Sequence, residues 1–261
     1  SAASDVYKRQ VKKAIRPDTI LISVMFANNE IGTIEPIEEI GAIAHEHGIL
    51  FHTDAVQAYA QVPIDVEKMH IDLLSASGHK LNGPKGIGFL YIRQGLKLKS
   101  FIHGGAQERK RRAGTENVPG IAGLGEAVKE IYTDFNEKME RLYGLREYFV
   151  EEIEKIEGTT VNGPKGREGA PHIVSVSFAG VRSEVLLHSL EDKGIYVSSG
   201  SACASNHPAV SETLKAIHVK KELLDSTIRF SFSEFTTKEE LDITLETLRE
   251  LLPMLRRFTR R

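Results

Sequence analysis

Lys80 closes the string Leu73-Leu74-Ser75-Ala76-Ser77-Gly78-His79-Lys80, and an earlier apolar run ends in Thr53-Asp54-Ala55-Val56-Gln57. A lysine amine can condense with an aldehyde, and a carboxylate can pair with a protonated ring nitrogen and keep that ring an electron sink. Together these are what a protein must supply to hold pyridoxal phosphate. Gln57 stands three residues beyond Asp54, one helical turn on, from where it could donate to a phenolic oxygen of the ring. Ser77 and His79 offer the donors that a phosphate needs. Each residue also has a blander use: Asp54 as the N-cap of a following helix, Lys80 as a solvated surface cation.

The elements that must position these groups alternate. Ile20 to Phe26 is short, apolar and followed by Asn28-Asn29-Glu30, which reads as a buried strand and its punctuation. Pro36 opens a helix with apolar positions at Ile37, Ile40 and Ala44, ended by Gly48. A strand at Ile49 to His52, a short helix after Asp54, and strands at Ile71 to Ala76 and Gly88 to Ile92 follow. Such alternation predicts a mostly parallel sheet with helices on its faces. Asn29, Asp54 and Ser77 to Lys80 each fall just past a strand's carboxyl end, the rim where open α/β sheets bind ligands.

From about Pro119 the texture changes. Ala122 to Ile156 predicts two helices with a break, and Asn162 to Gly166 a turn. Ile173 to Phe178 alternates like a half-buried strand. A helix from Ser183 to Asp192 leads to Gly194-Ile195-Tyr196-Val197 and a small-residue loop from Ser198 to Ser205; a helix, a strand at Ser226 to Phe232 and a closing helix from Thr237 complete an α+β unit. The expected organisation is a partial large domain at 11–132 and a smaller C-terminal domain at 133–261. Residues 1–10 lack clear periodicity and are set aside as an extraneous segment.

Composition narrows the classes. The 261 residues are 41% hydrophobic and 27% charged with a formal net charge of −2, so no global field points to nucleic acid or an anionic membrane. No apolar run is long enough to span a bilayer. The basic run Arg109 to Arg112 is local and flanked by Glu108 and Glu116, which favours a docking or solvated loop. His45 and His47 stand two apart and cannot share a helical face as paired metal ligands, so no metal is expected. One cysteine, Cys203, cannot form an internal disulfide, which fits a reducing cytoplasm.

Seven ordered strings carry a resemblance. They are Ala27-Asn28-Asn29-Glu30-Ile31-Gly32, Thr53-Asp54-Ala55-Val56-Gln57, Ser77-Gly78-His79-Lys80, Gly104-Gly105-Ala106-Gln107-Glu108, Arg112-Ala113-Gly114-Thr115-Glu116-Asn117, Ser199-Gly200-Ser201-Ala202-Cys203 and Ile228-Arg229-Phe230-Ser231, and the resemblance they carry runs from about Val11 to the end. They resemble the NifS/IscS-type cysteine desulfurases, class-V aminotransferases of pyridoxal phosphate fold type I. The resemblance implies an aminotransferase-like α/β fold and conversion of L-cysteine to L-alanine. Lys80 would be the Schiff-base lysine, Asp54 the pyridinium partner, Gln57 the phenolate partner, and Ser77 and His79 phosphate ligands. Thr115 would reach the phosphate of a neighbouring subunit, implying a homodimer. Asn29 and Arg229 would bind the substrate carboxylate, and Cys203 would take the sulfur as a persulfide for an iron–sulfur scaffold or another acceptor protein. A thiolate in a small, flexible approach such as Ser198 to Ala202 suits that task.

The same resemblance implies a domain-sized stretch before Val11, with a phosphate-binding threonine and a ring-stacking histidine for which this sequence has no counterpart. These residues alone are therefore expected to hold the cofactor poorly and to turn over little cysteine. Within the fold, a selenocysteine lyase or another class-V aminotransferase is the alternative. In a different class, a non-catalytic scaffold for sulfur-transfer partners is the competitor.

Overall fold

The computed structural model describes residues 2–199 and 211–258. The chain divides into two compact units, one of residues 1–27 and 35–135, the other of 28–34 and 136–261.

In the first unit, α1 (Ala2–Ala14) is one continuous helix across the position where the extraneous segment was expected to end. β1 (Leu21–Met25), β2 (Leu50–Asp54), β3 (Leu73–Ser77) and β4 (Gly88–Ile92) form a sheet in that order. The first three are parallel and β4 pairs antiparallel with β3. Between β1 and β2 runs α2 (Ile37–Glu46), with Glu38 and Glu39 in its first turn and His45 in its last, the order the helix dipole favours. Gly48 ends it at φ +65°, where a side chain would be strained. Gly41 lies so close to the Met69 carbonyl that a Cβ would sit 2.0 Å from it. That contact brings α2 onto the connection leading to β3.

One face of this sheet is apolar and closed: Phe51, Thr53, Leu74 and Ala76 are buried. The opposite face is open, with Leu21, Met25 and Leu90 at 44%, 41% and 48% exposure. One sequence expectation changes here. The short helix after Asp54 is instead a run of turns from Ala55 to Val62, with the Ala58 and Tyr59 N–H groups both donating to the Ala55 carbonyl. Ala60 at φ +61° is incompatible with a regular helix there. A four-residue turn, α3 (Gln107–Lys110), carries left-handed φ at Glu108, Arg109 and Lys110. α4 (Val118–Tyr132) is capped by Asn117, whose Oδ1 accepts from the Gly120 N–H.

The long stretch of the second unit begins within α5 (Phe135–Ile153), which follows a break at Asp134, at φ +57°. β5 (Thr159–Asn162), β6 (Ile173–Phe178), β8 (Thr227–Ser231) and β7 (Ser198–Ser199) form an antiparallel sheet in the order β5-β6-β8-β7. Ser198 and Ser199, expected as the start of a loop, pair with β8 instead, and Gly194 to Val197 before them forms no strand. β6 was expected to be half-buried, yet every residue in it is buried. Its serines escape the alternation rule because Ser175 and Ser177 are hydrogen-bonded inside by Asn162 Nδ2 at 3.3 and 2.9 Å. α6 (Ser183–Glu191), α7 (Glu212–Ala216) and α8 (Lys238–Phe258) complete the unit. α8 starts with a capping box: Thr237 Oγ1 accepts from the Glu240 N–H while Glu240 Oε2 accepts from the Thr237 N–H.

Candidate active site

The first unit builds the site at the carboxyl ends of β2 and β3. In the parallel register Asp54 is the Cα partner of Ser75, so Asp54 and the Ser77–Lys80 segment leave adjacent strands at the same end. Lys80 closes a 3-10 turn, Gly78–Lys80. That turn is fastened from several sides. The Gly78 N–H donates to the Ile87 carbonyl, and the Gly78 carbonyl accepts from both Leu81 and Gly83 at 3.0 and 2.9 Å. A Cβ on Gly83 would lie 2.9 Å from that carbonyl, so only glycine fits the approach. Leu81, buried beside Lys80, packs with Ala60 and Ile131 and with the partly buried Tyr59 and Leu124. Burying Leu81 anchors the backbone while Lys80 and His79 stay exposed.

The donor set fits the cofactor the sequence suggested. Asp54 is exposed, and its Oδ1 accepts from the Val56 N–H at 2.9 Å. The carboxylate therefore carries the cap-like local bond through one oxygen, and an acid with a second oxygen suits a partner for a protonated ring nitrogen. Ser77 Oγ and His79 Nδ1 lie 2.7 Å apart, a pair at the start of the turn that bears Lys80. Gln57 is half-buried in the turns after Asp54. Thr115, on the segment between α3 and α4, is exposed and lines a groove of about 930 Å³ with Ile87, Phe89, Leu98 and the three arginines of the basic run. Phe101, on the same groove, is 95% exposed.

A row that sequence reasoning did not weigh crosses the same sheet. His52 Nδ1 is 2.7 Å from Ser23 Oγ on β1, and its Nε2 is 2.9 Å from Ser75 Oγ on β3. Burial pulls the His52 imidazole below its ordinary range, and the Asp54 charge opposes that pull. Period-two spacing puts His52 and Asp54 on one face, which was the available signal.

The remaining predicted residues belong to the second unit. Asn29 and Arg229 are brought together: Arg229 Nη1 donates to the Asn29 carbonyl at 2.9 Å, and Nη2 to Ser198 Oγ at 3.2 Å. Although Asn29 follows β1 in sequence, residues 28–34 are part of the compact unit of the C-terminal half. Cys203 lies outside the described residues. His45 stacks on His70 at 4.7 Å between ring centres. Among the described residues no group of three or more histidine, cysteine or acidic side chains could hold a metal, and no helix is long and apolar enough to cross a membrane.

The arrangement of acid, glutamine and Ser-x-His-Lys at and just past the carboxyl ends of two adjacent parallel strands agrees with the match of residues 4–244 to the family described as aminotransferase class-V. The chain belongs to the aminotransferase class-V family. Members of this family and their cysteine desulfurase homologues depend on pyridoxal 5'-phosphate. Cysteine desulfurase IscS of Dictyoglomus turgidum is 49% identical to this class-V chain over 247 residues, covering 94% of it and 62% of the relative. A solved NifS-like protein superposes with a TM-score of 0.86 at 36% identity, covering 95% of this chain and 65% of its own. SspA, solved in complex with cysteine, superposes with a TM-score of 0.72 at 36% identity, covering 88% of this chain and 63% of its own. The chain thus spans less than two thirds of the length of these relatives.

Proposed function

We propose that the protein carrying this chain is a cysteine desulfurase, converting L-cysteine to L-alanine and passing the sulfur to Cys203 as a persulfide. The observation that supports this most is the shared exit of Asp54 and Lys80 from adjacent parallel strands, in a chain whose sequence also carries a desulfurase-like Ser-Gly-Ser-Ala-Cys string. When bound, pyridoxal phosphate supplies the electron sink that labilises bonds at the substrate's α and β carbons.

The chain's own residues divide the remaining work. Lys80 would hold the cofactor through its aldehyde, and its amine is the group that would move the substrate's α proton. Asp54 would pair with the ring nitrogen, Gln57 would donate to the phenolic oxygen, and Ser77 with His79 would hold the phosphate. Arg229 takes the substrate carboxylate with its planar fork, alongside Asn29. Cys203, as thiolate, accepts the sulfur. Thr115 acts across a subunit boundary, where a second copy covers the groove beside it; a sulfur-acceptor protein then collects the persulfide. A lone cysteine that must stay reduced is consistent with a cytoplasmic setting.

Borohydride fixation with pyridoxal phosphate followed by peptide mass analysis tests the cofactor site. The expected label falls on the peptide containing Lys80 and vanishes in Lys80→Ala. A label on a different lysine, or none in the whole protein, overturns the assignment. Cys203→Ser is expected to abolish persulfide, and full alanine production by that variant would remove Cys203 from the reaction.

A further inference from the structure

Residues 200–210 join two stems that belong to one compact unit, β7 on the near side and α7 on the far side. Both stems are tied to the same short turn. On the near side Arg229 bridges the Asn29 carbonyl and Ser198 Oγ. On the far side the Glu30 carboxylate accepts from two hydroxyls: Oε2 from Ser211 Oγ at 2.5 Å and Oε1 from Thr213 Oγ1 at 3.3 Å. Ser211 is buried, and its Oγ in turn accepts from the Leu214 N–H at 3.1 Å, capping α7.

The turn itself is firmly held. Asn28 Oδ1 accepts from the Glu30 and Ile31 N–H groups at 2.8 and 3.0 Å, and the Asn28 N–H donates to the Thr33 carbonyl at 2.8 Å. The Gly32 carbonyl accepts from the Ala170 N–H, and Gly32 sits at φ +73° with a Cβ position only 3.1 Å from the Ile173 carbonyl. A helix cap needs Ser211 alone. A carboxylate that also takes Thr213, from a residue 181 or more positions away, does more than cap a five-residue helix.

We infer that Glu30 is a positioning residue: it fixes the α7 stem, while Arg229 fixes the β7 stem, so that one turn sets both points from which the Cys203-bearing segment departs. Charge-assisted bonds to two hydroxyls are the strong kind and hold a hydroxyl in one orientation. Freeing one end of a segment enlarges the ensemble available to it. The importance of Cys203 rests on the desulfurase reading; the anchoring does not.

Amide exchange and thiol alkylation test the two levels separately. The chain has one cysteine, so iodoacetamide reports on Cys203 alone. In Glu30→Ala the Leu214 amide is expected to exchange about tenfold faster and alkylation to change by about threefold or more, with β6 protection unchanged. Glu30→Gln keeps one acceptor oxygen and is expected to recover most of both effects, and Thr213→Val is expected to show a smaller change in the same direction. Unchanged exchange at Leu214 in Glu30→Ala overturns the anchor. Faster exchange with unchanged alkylation reduces Glu30 to a helix-cap partner and overturns the positioning role. Should Glu30→Ala lose β6 protection, Glu30→Gln and Thr213→Val decide by the same two readouts, no change in either variant overturning the inference. Alanine production surviving Cys203→Ser would sink the desulfurase reading while leaving these results standing.

Discussion

The two sheets of this chain differ in what covers them. In the second unit every residue of β6 is buried, and Phe149 lies against Phe230 and Phe232 at 4.9 and 5.5 Å between ring centres. In the first, the face carrying Ser23, His52 and Asp54 also presents Leu21, Met25 and Leu90 to solvent. Parallel strands normally have both faces covered. The first unit keeps its reactive groups on an open rim, while the second holds its candidate residues in place by hydrogen bonds. Positioning by strand register and positioning by a buried polar network are two ways to aim a side chain, and they respond differently to substitution.

The largest contrast is expected at Arg146. It is 1% exposed and donates to the carbonyls of Gly166, Pro164 and Ile173 without a carboxylate partner among those bonds. Arg146→Ala strands these acceptors, and a loss of about 3–5 kcal/mol in urea unfolding is expected. Arg146→Lys cannot reproduce the fork and is expected to recover less than half of it. A neutral result would mean that the second sheet is not held by its polar interior.

Asn162→Ala removes the donor shared by Ser175 and Ser177 and is expected to cost about 1–3 kcal/mol in the same measurement. Next is a slope rather than a loss. Because burial lowers the folded pKa of His52, the folded chain binds its proton less readily than the unfolded chain does. Stability is therefore complete above the unfolded value of about 6.5 and is lost as pH falls through it toward the folded value. His52→Gln is expected to flatten that part of the pH–stability curve; an identical slope would show that His52 is not the group titrating. The smallest effect belongs to the open face. Leu90→Ser and Met25→Ser are expected to stay within about 0.5 kcal/mol of the parent, and a larger cost would show that something covers that face in solution.

Much of this was legible in the residues. The apolar runs before Asp54 and Lys80 marked β2 and β3, and alternation of element types marked the parallel order, because strand burial and turn chemistry are local properties. The turns after Asp54 were misread as a helix since Ala55 to Ala60 has good helix formers; the left-handed Ala60 beside buried Leu81 shows packing overriding propensity. Ser198 and Ser199, read as the start of a loop, instead pair with Arg229 and Ile228 across β7 and β8, a long-range contact that no local signal marks.

The amino-acid sequence by itself determined the chemical repertoire: a lysine amine, a carboxylate, a guanidinium and a single thiol. Side-chain type is written directly in the chain, and strand-end placement follows from local periodicity. Only the tertiary structure decided that residues 28–34 leave the first unit to join the second, that Glu30 meets Ser211 and Thr213, and that His52 is gripped by serines on both neighbouring strands. Contacts across such sequence separations are selected by the total burial and hydrogen bonding of the folded chain, which no short window of residues contains.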